Sequence, residues 1–257
     1  MRQRRIIPGV DPKLLIKDAT KLMPDASRRG FLRGAASLGA LTFLTGCDII
    51  DGETAEGTLR KISEFNDGVQ AALFSPTKLA PTYPESAITK PFPFNAYYDE
   101  DEAPEVDGKT YKLEVAGLVE NKKPWTLDEL YALPEVSQIT RHICVEGWSA
   151  IGSWQGTPLA EFLKRIGADT RAKYIWFKCA EGYTNTIDMP TALHPQTQMT
   201  FRFADETLPR KYGFPMKIRI PTKLGFKNPK HVIAMHVTNK DLGGYWEDRG
   251  YNWFSGL

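Results

Sequence analysis

Apolar and polar positions alternate from Tyr111 to Val115, which predicts a strand that Gly117 ends. Thr126-Leu127-Asp128-Glu129 has the spacing of a capping box, so a short helix should run to about Leu133, where Pro134 stops it. An apolar, β-branched run from Ser137 to Val145 predicts a second strand. Thr157-Pro158 then reads as a helix start, threonine as cap and proline in the first turn. Leu159, Phe162, Leu163 and Ile166 follow at i, i+3, i+4 and i+7, one buried stripe, and Gly167 is its stop. Ser149 to Gly156, between strand and helix, is expected as a loop. Lys173–Cys179, Lys217–Pro221 and His231–Val237 read as further strands, and Met189–Leu193 as a helical turn. Upstream, Leu59–Phe74 can hold a helix with Ile62, Phe65 and Val69 on one face. Pro76, Pro81, Pro84, Pro91 and Pro93 then forbid regular structure. Short helices beside many strands, without a regular βαβ order, predict an α+β fold with mixed β-sheets.

Charge divides the chain. Residues 1–46 carry nine Lys/Arg against three Asp/Glu, a net of +6, while residues 47–257 carry 24 bases against 28 acids, a net of −4. The body therefore has no basic footprint for nucleic acid. Ser27-Arg28-Arg29-Gly30-Phe31-Leu32-Arg33 has the form of a twin-arginine export motif, and the apolar Gly34–Gly46 that follows is too short to span a bilayer, which takes about twenty residues. Leu44-Thr45-Gly46-Cys47 resembles the lipobox of bacterial lipoproteins, with Cys47 as the lipidated residue and Asp48 resembling an inner-membrane retention signal. The expected organisation is a signal peptide over 1–46, a tether and approach segment over 47–93, and a catalytic domain over 94–257. The expected location is the periplasmic side of the inner membrane, lipid-anchored.

The candidate chemistry centres on Arg141-His142-Ile143-Cys144-Val145-Glu146-Gly147-Trp148-Ser149. A cysteine at a strand end beside Arg and His is a soft metal ligand or an activated nucleophile. Arg141-x-x-Cys144-Val145-Glu146-x-Trp148-Ser149 resembles the cysteine segment of the sulfite oxidase family of molybdenum enzymes, and most of all its bacterial branch of periplasmic protein-methionine-sulfoxide reductase catalytic subunits. The resemblance runs from about Pro91 to Val237. It implies a molybdopterin-binding fold, with Cys144 ligating molybdenum alongside the dithiolene of a molybdopterin.

The resemblance also implies the cofactor contacts. Asn95, Tyr98 and Asp99 stand in the family's Asn-x-x-Tyr-Glu segment, which grips the pterin and its phosphate. Cys179 stands where the branch carries a threonine near the cofactor; its other reading is a small buried hydrophobe. His194-Pro195 resembles a segment of the pocket wall, or else a helix-terminal histidine. Arg202, Lys211 and Tyr212 lie in the next loop. Lys217 replaces a family arginine and can meet a phosphate only as a point charge. Lys223-Leu224-Gly225-Phe226-Lys227-Asn228-Pro229-Lys230 resembles the phosphate loop, with Asn228, Pro229 and Lys230 as contacts and two lysines as its charge.

No Cys-x-x-Cys-His haem site occurs, and the family's immunoglobulin-like dimerisation domain is not expected. The expectation is a monomeric catalytic subunit acting on a small or protein-bound substrate. It would exchange electrons with a separate partner, such as a membrane b-type haem protein. Reductive oxygen-atom transfer from sulfoxides or N-oxides is expected. The alternatives are sulfite oxidase-like oxidation and a cofactor-free binding lipoprotein on the same fold. A zinc site built from His142, Cys144, His231 and His236 is a third option.

Overall fold

The computed structural model describes residues 52–257. The twin-arginine motif, the apolar run and Cys47 lie outside the described residues. The chain divides into two compact units, Met1–Gly57 and Thr58–Leu257. The second opens within helix α1 (Gly52–Leu73). Then come β1 (Lys112–Gly117), β2 (Trp125–Thr126), α2 (Leu127–Tyr131), β3 (Val136–Ile143), β4 (Ser149–Pro158), α3 (Leu159–Arg165), β5 (Tyr174–Cys179), β6 (Thr184–Asp188), α4 (Met189–Ala192), β7 (Gln198–Phe203), β8 (Glu206–Thr207), β9 (Lys217–Arg219) and β10 (Val232–Thr238).

Two five-stranded sheets form, one in the order β2-β1-β10-β5-β6 and one in the order β3-β4-β7-β8, with β9 also paired to β7. Only β1 and β10 pair in parallel; every other named pair is antiparallel. The α+β fold with mixed sheets stands as expected. So do the capping box at Thr126, with both reciprocal bonds made, and the stripe Leu159, Phe162, Leu163 and Ile166, all buried in the main core. Gly167 ends that helix at φ +62°, the left-handed conformation that favours glycine.

The stretch from Ser149 to Gly156 is a strand, not a loop. It pairs along its length with β3 and, from Trp154 onward, with β7. The local sequence is polar and glycine-rich, so neither period nor propensity marks it; the pairing comes from its two neighbours. Gly156 shows how close the neighbours come. A Cβ there would lie 1.9 Å from the Met199 carbonyl oxygen. Gly156→Ala is expected to cost about 3 kcal/mol through overpacking, seen as a lower midpoint in denaturant unfolding. Thr157 correspondingly sits in β4 and does not cap α3. The first helical N–H, that of Leu159, is satisfied instead by the Thr197 carbonyl at 2.8 Å.

Helix α1 inverts the usual amphipathic arrangement. Ile62, Phe65 and Val69 do share a face, but they are 50%, 70% and 40% exposed. The helix is tied down by polar residues. Asp67 accepts from the N–H groups of Trp253 and Phe254 at 3.1 and 2.6 Å, and Gln70 from that of Gly256 at 2.9 Å. Residues 75–93 run against β3 and β4, with Tyr83 N–H bonded to Ile139 O and Thr89 N–H to Ile151 O.

Candidate active site

Strand β3 delivers Cys144 one residue beyond its end. The Cys144 N–H bonds to Trp148 O at 2.9 Å and the Gly147 N–H to Cys144 O at 3.1 Å. Gly147 closes this turn at φ +92°. Strand alternation splits the two basic neighbours. Arg141 points outward over the Tyr83 ring at 5.2 Å, whereas His142 is buried. The His142 Nε2 accepts from Asn95 Nδ2 at 3.2 Å, and burial together with Lys217, Arg219 and Lys230 holds the imidazole far below its ordinary pKa. A neutral imidazole engaged elsewhere cannot stabilise a thiolate. Burial pushes the Cys144 thiol up, against a smaller pull from the Glu146 and Val145 N–H groups. An activated nucleophile needs the opposite shift, so the soft-ligand reading is the one this geometry favours.

The thiol stands in the wall of a cleft holding about 720 Å³, counting the space open to solvent. That lies within the roughly 300–1,000 Å³ of small-molecule and cofactor sites. The wall includes Asn95, Tyr97, Tyr98, Glu146, Glu181, Tyr183, Gly225, Asn228, Pro229, Lys230, Trp246 and Tyr251.

Beside it lies a buried cationic group. Lys217, Arg219 and Lys230 are all buried, and among the described residues none forms an ion pair. Lys217 Nζ and Arg219 Cζ sit 5.1 and 5.7 Å from the Trp154 ring centroid. Burial first, then Lys230 and Arg219, drive Lys217 well below its ordinary pKa; burial, partly opposed by Glu181 and Glu100, lowers Lys230 to about 8. Uncompensated buried charge costs on the order of several kcal/mol per ion. The donors Arg219 Nε and His142 Nδ1 are also buried without a protein partner. Of these groups only Lys230 reaches the cleft wall; an anionic group rich in acceptor oxygens would answer its charge, and a pterin phosphate is such a group. The residues present therefore fit the cofactor that the sequence implied.

The expected contacts divide. Asn95, Tyr98, Asn228, Pro229 and Lys230 line the cleft with Cys144. Asn228 spends its side chain bracing the loop: it accepts from Arg219 Nη1 and Ile220 N–H at 2.8 and 2.7 Å and donates to Leu224 O at 3.0 Å. Lys230 Nζ donates to Asn95 O and Lys211 O at 2.5 and 3.0 Å. Lys217 is off the cleft wall, buried with its Nζ 5.1 Å from the Trp154 ring centroid. Asp99 lies off the wall, exposed, capping the turn Glu100–Glu102. Cys179 is wholly buried in the main core. His194 is buried away from the cleft, its Nε2 3.0 Å from Lys78 O. Of the two lysines expected to charge the loop, only Lys230 reaches the cleft. Lys227 pairs with Glu247. Arg202 pairs with Glu135 and Lys211 with Glu100. Tyr212 donates to Phe92 O at 2.6 Å. Among the described residues no group of three His, Cys, Asp or Glu is placed to share a metal ion, so the zinc option lapses.

Sequence reasoning missed Tyr97, Glu181, Tyr183, Trp246 and Tyr251. Tyr97 stacks on Tyr245 at 4.6 Å and on Tyr183 at 6.0 Å. Glu146 was visible inside the cysteine motif; here its Oε2 is 3.7 Å from the Cys144 sulfur and accepts from Trp148 Nε1 at 3.0 Å.

Comparison with known proteins places this geometry. The profile of the oxidoreductase molybdopterin-binding domain matches residues 100–246. The chain is 60% identical over 240 residues to a protein of Azospira oryzae provisionally named protein-methionine-sulfoxide reductase subunit YedZ1, covering 93% of this chain and 92% of that one. It is 31% identical over 152 residues to the protein-methionine-sulfoxide reductase catalytic subunit MsrP of Ralstonia nicotianae, covering 53% of this chain and 46% of MsrP. Among solved structures, the sulfane dehydrogenase SoxCD from Paracoccus pantotrophus superposes with a TM-score of 0.51 at 19% identity, over 55% of this chain and 41% of that one. That likeness is one of fold alone. The chain spans less than half the length of MsrP and of the SoxCD chain, and nearly all of the Azospira protein.

Proposed function

This chain belongs to the oxidoreductase molybdopterin-binding domain family, and we propose that it reduces sulfoxides, taking as substrate an oxidised methionine carried by a protein. It is an oxidoreductase with a molybdopterin cofactor. We further propose that the pterin carries molybdenum and that Cys144 is the chain's ligand to it. The observation that carries this reading is a thiol in a cleft wall that also holds Lys230, with Lys217 and Arg219 buried near it and none of the three in an ion pair among the described residues. The bound cofactor supplies two-electron oxygen-atom chemistry. The chain supplies the rest. Lys230 holds the phosphate, with Lys217 and Arg219 buried nearby. Asn95, Tyr98, Asn228 and Pro229 shape the pterin's wall. Gly225 lets the loop lie against His142, where a Cβ would come within 2.6 Å of Nε2. The aromatic wall of Tyr97, Tyr183, Trp246 and Tyr251 suits a thioether, since sulfur packs favourably against rings. Relatives named as protein-methionine-sulfoxide reductase subunits support the substrate class.

The test is direct. Protein made with the pterin pathway and export machinery intact should contain molybdenum and pterin by mass spectrometry. With a reduced low-potential dye it should turn over protein-bound methionine sulfoxide faster than N-oxides. Turnover with sulfite alone would reverse the proposed direction, and absence of molybdenum would leave the binding-lipoprotein alternative.

Residues 1–46 we read as a twin-arginine signal and Cys47 as the lipidated first residue of a protein on the periplasmic side of the inner membrane. Its electrons would come from a separate carrier, such as a membrane b-type haem protein. Among the described residues no helix is long and apolar enough to cross a membrane. Replacing Arg28 and Arg29 by Lys should trap cofactor-loaded precursor in the cytoplasm, and Cys47→Ala should release the protein from the membrane fraction or leave it unprocessed. Normal fractionation of either variant removes the corresponding claim.

A further inference from the structure

We propose that Glu181 is the proton donor of this cleft, protonating the oxygen that leaves the sulfoxide; the proposal rests on the reductase reading above. Glu181 lies in the tight turn between β5 and β6. Cys179 N–H bonds to Tyr183 O at 2.9 Å and Gly182 N–H to Cys179 O at 3.1 Å, with Gly182 at φ +85°. The turn carries the side chain into the same wall as Cys144, Tyr98 and Lys230. The backbone carbonyl of Glu181 is held by the Tyr97 hydroxyl at 3.2 Å. Its Oε2, by contrast, is buried with no protein partner. The backbone is pinned while one carboxyl oxygen is left without a protein partner and can carry a proton.

The groups around it select it. Its own turn contributes Cys179 and Tyr183, the 95–98 segment Tyr97 and Tyr98, and the phosphate loop Lys230. Burial raises the Glu181 carboxyl to about 7, against a smaller pull from its own backbone N–H and from Lys230. At neutral pH such a group is part protonated and readily reloaded, which is where a general acid works best. Burial pushes the Tyr98 phenol up, making it a weaker acid still. The Lys230 ammonium donates to two carbonyls and, on the reading above, gives its remaining N–H to the phosphate. Glu146 is exposed and bonded to Trp148.

The reaction balances as one sulfoxide, two electrons and two protons giving one thioether and one water. The sulfur–oxygen bond breaks, sulfur is reduced, two molecules of the one-electron dye used as donor are each oxidised once, and the second proton comes from solvent. Glu181 gives one of the protons to the departing oxygen and is reloaded from solvent through the open side of the cleft.

The test compares holoenzyme with Glu181→Gln and Glu181→Asp, using methionine sulfoxide and reduced dye. Wild-type kcat should fall as pH rises through about 7. Glu181→Gln should lower kcat about 100-fold and abolish that limb at unchanged molybdenum and pterin content. Glu181→Asp should keep a limb and recover part of the rate. Independently of turnover, infrared difference spectra should show a protonated carboxyl stretch that titrates near pH 7 in the wild type and is missing from Glu181→Gln. A wild-type limb in Glu181→Gln, an unchanged carboxyl band, or loss of cofactor from that variant overturns the proposal. A wild type that holds cofactor and shows the band yet reduces no sulfoxide sinks the reductase reading, and the donor role with it. Turnover without the band sinks Glu181 alone.

Discussion

Cys144→Ser should lose at least about 1,000-fold in turnover while keeping its fold and its pterin. Two jobs are separable here. On the proposed reading the cofactor is gripped through Lys230, Asn95 and the loop that Gly225 opens, with Lys217 and Arg219 buried nearby, and the substitution touches none of them. The redox centre's reactivity depends on a soft thiolate donor, and an alkoxide is a harder one. Packing gives little cover for any other explanation. Serine is slightly smaller than cysteine, and the backbone bonds that hold the turn, Cys144 N–H to Trp148 O and Gly147 N–H to Cys144 O, survive. Burial keeps the uncoordinated thiol protonated at neutral pH, so coordination must release a proton and loading should improve as pH rises. Molybdenum and pterin content, the thiolate-to-metal absorbance band and turnover should be measured on the same preparation. Near-normal turnover in the serine variant would mean that Cys144 is not the ligand.

What the sequence made legible was local. The Thr126 capping box and the Leu159–Ile166 stripe are set by residues within two turns of each other, and both stand. Strand β4 was illegible because its strandedness lies in β3 and β7 and in the glycine that lets Met199 approach. The cleft shows the same division. The cysteine turn and the basic loop were visible as motifs. Which lysine serves the cleft was not, because the residue that claims Lys227 is Glu247, twenty positions away. Asp99 opens a run of acidic residues whose capping role depends on the backbone bond from Glu102 to Asp99. Glu181, Trp246 and Tyr251 belong to no motif; the β5–β6 turn and the C-terminal segment bring them to Cys144.

Glu247→Ala should destabilise the protein by about 3–5 kcal/mol, because it leaves an uncompensated lysine in the interior. Lys227 and Glu247 are 1% and 5% exposed. Lys227 Nζ also donates to Thr186 O at 2.7 Å and lies 5.0 Å from the Trp253 ring centroid. Glu247 accepts in addition from Asn185 Nδ2 at 2.9 Å. Truncation therefore strands two donors together. At roughly 2–4 °C per kcal/mol for a unit of this size, Tm should fall on the order of 10 °C. The pH dependence has a definite sign. Burial already lowers Lys227, and Glu247 is the main group opposing that shift. Without it the folded state favours the neutral amine while the unfolded chain stays protonated. The unfolded state then binds more protons, so the variant should gain stability as pH rises from 7 toward the ordinary lysine pKa of about 10.4. Lys227→Met combined with Glu247→Leu, which removes both charges, should recover most of the loss. The pair also fastens the segment bearing Trp246 and Tyr251 to the Gly225–Lys227 turn. In Glu247→Ala, assayed below its Tm, KM for sulfoxide should therefore rise several-fold before kcat falls. A variant with wild-type Tm would show that Lys227 finds its compensation elsewhere, and one with lowered Tm but unchanged KM would show that the C-terminal segment does not depend on this pair to shape the cleft.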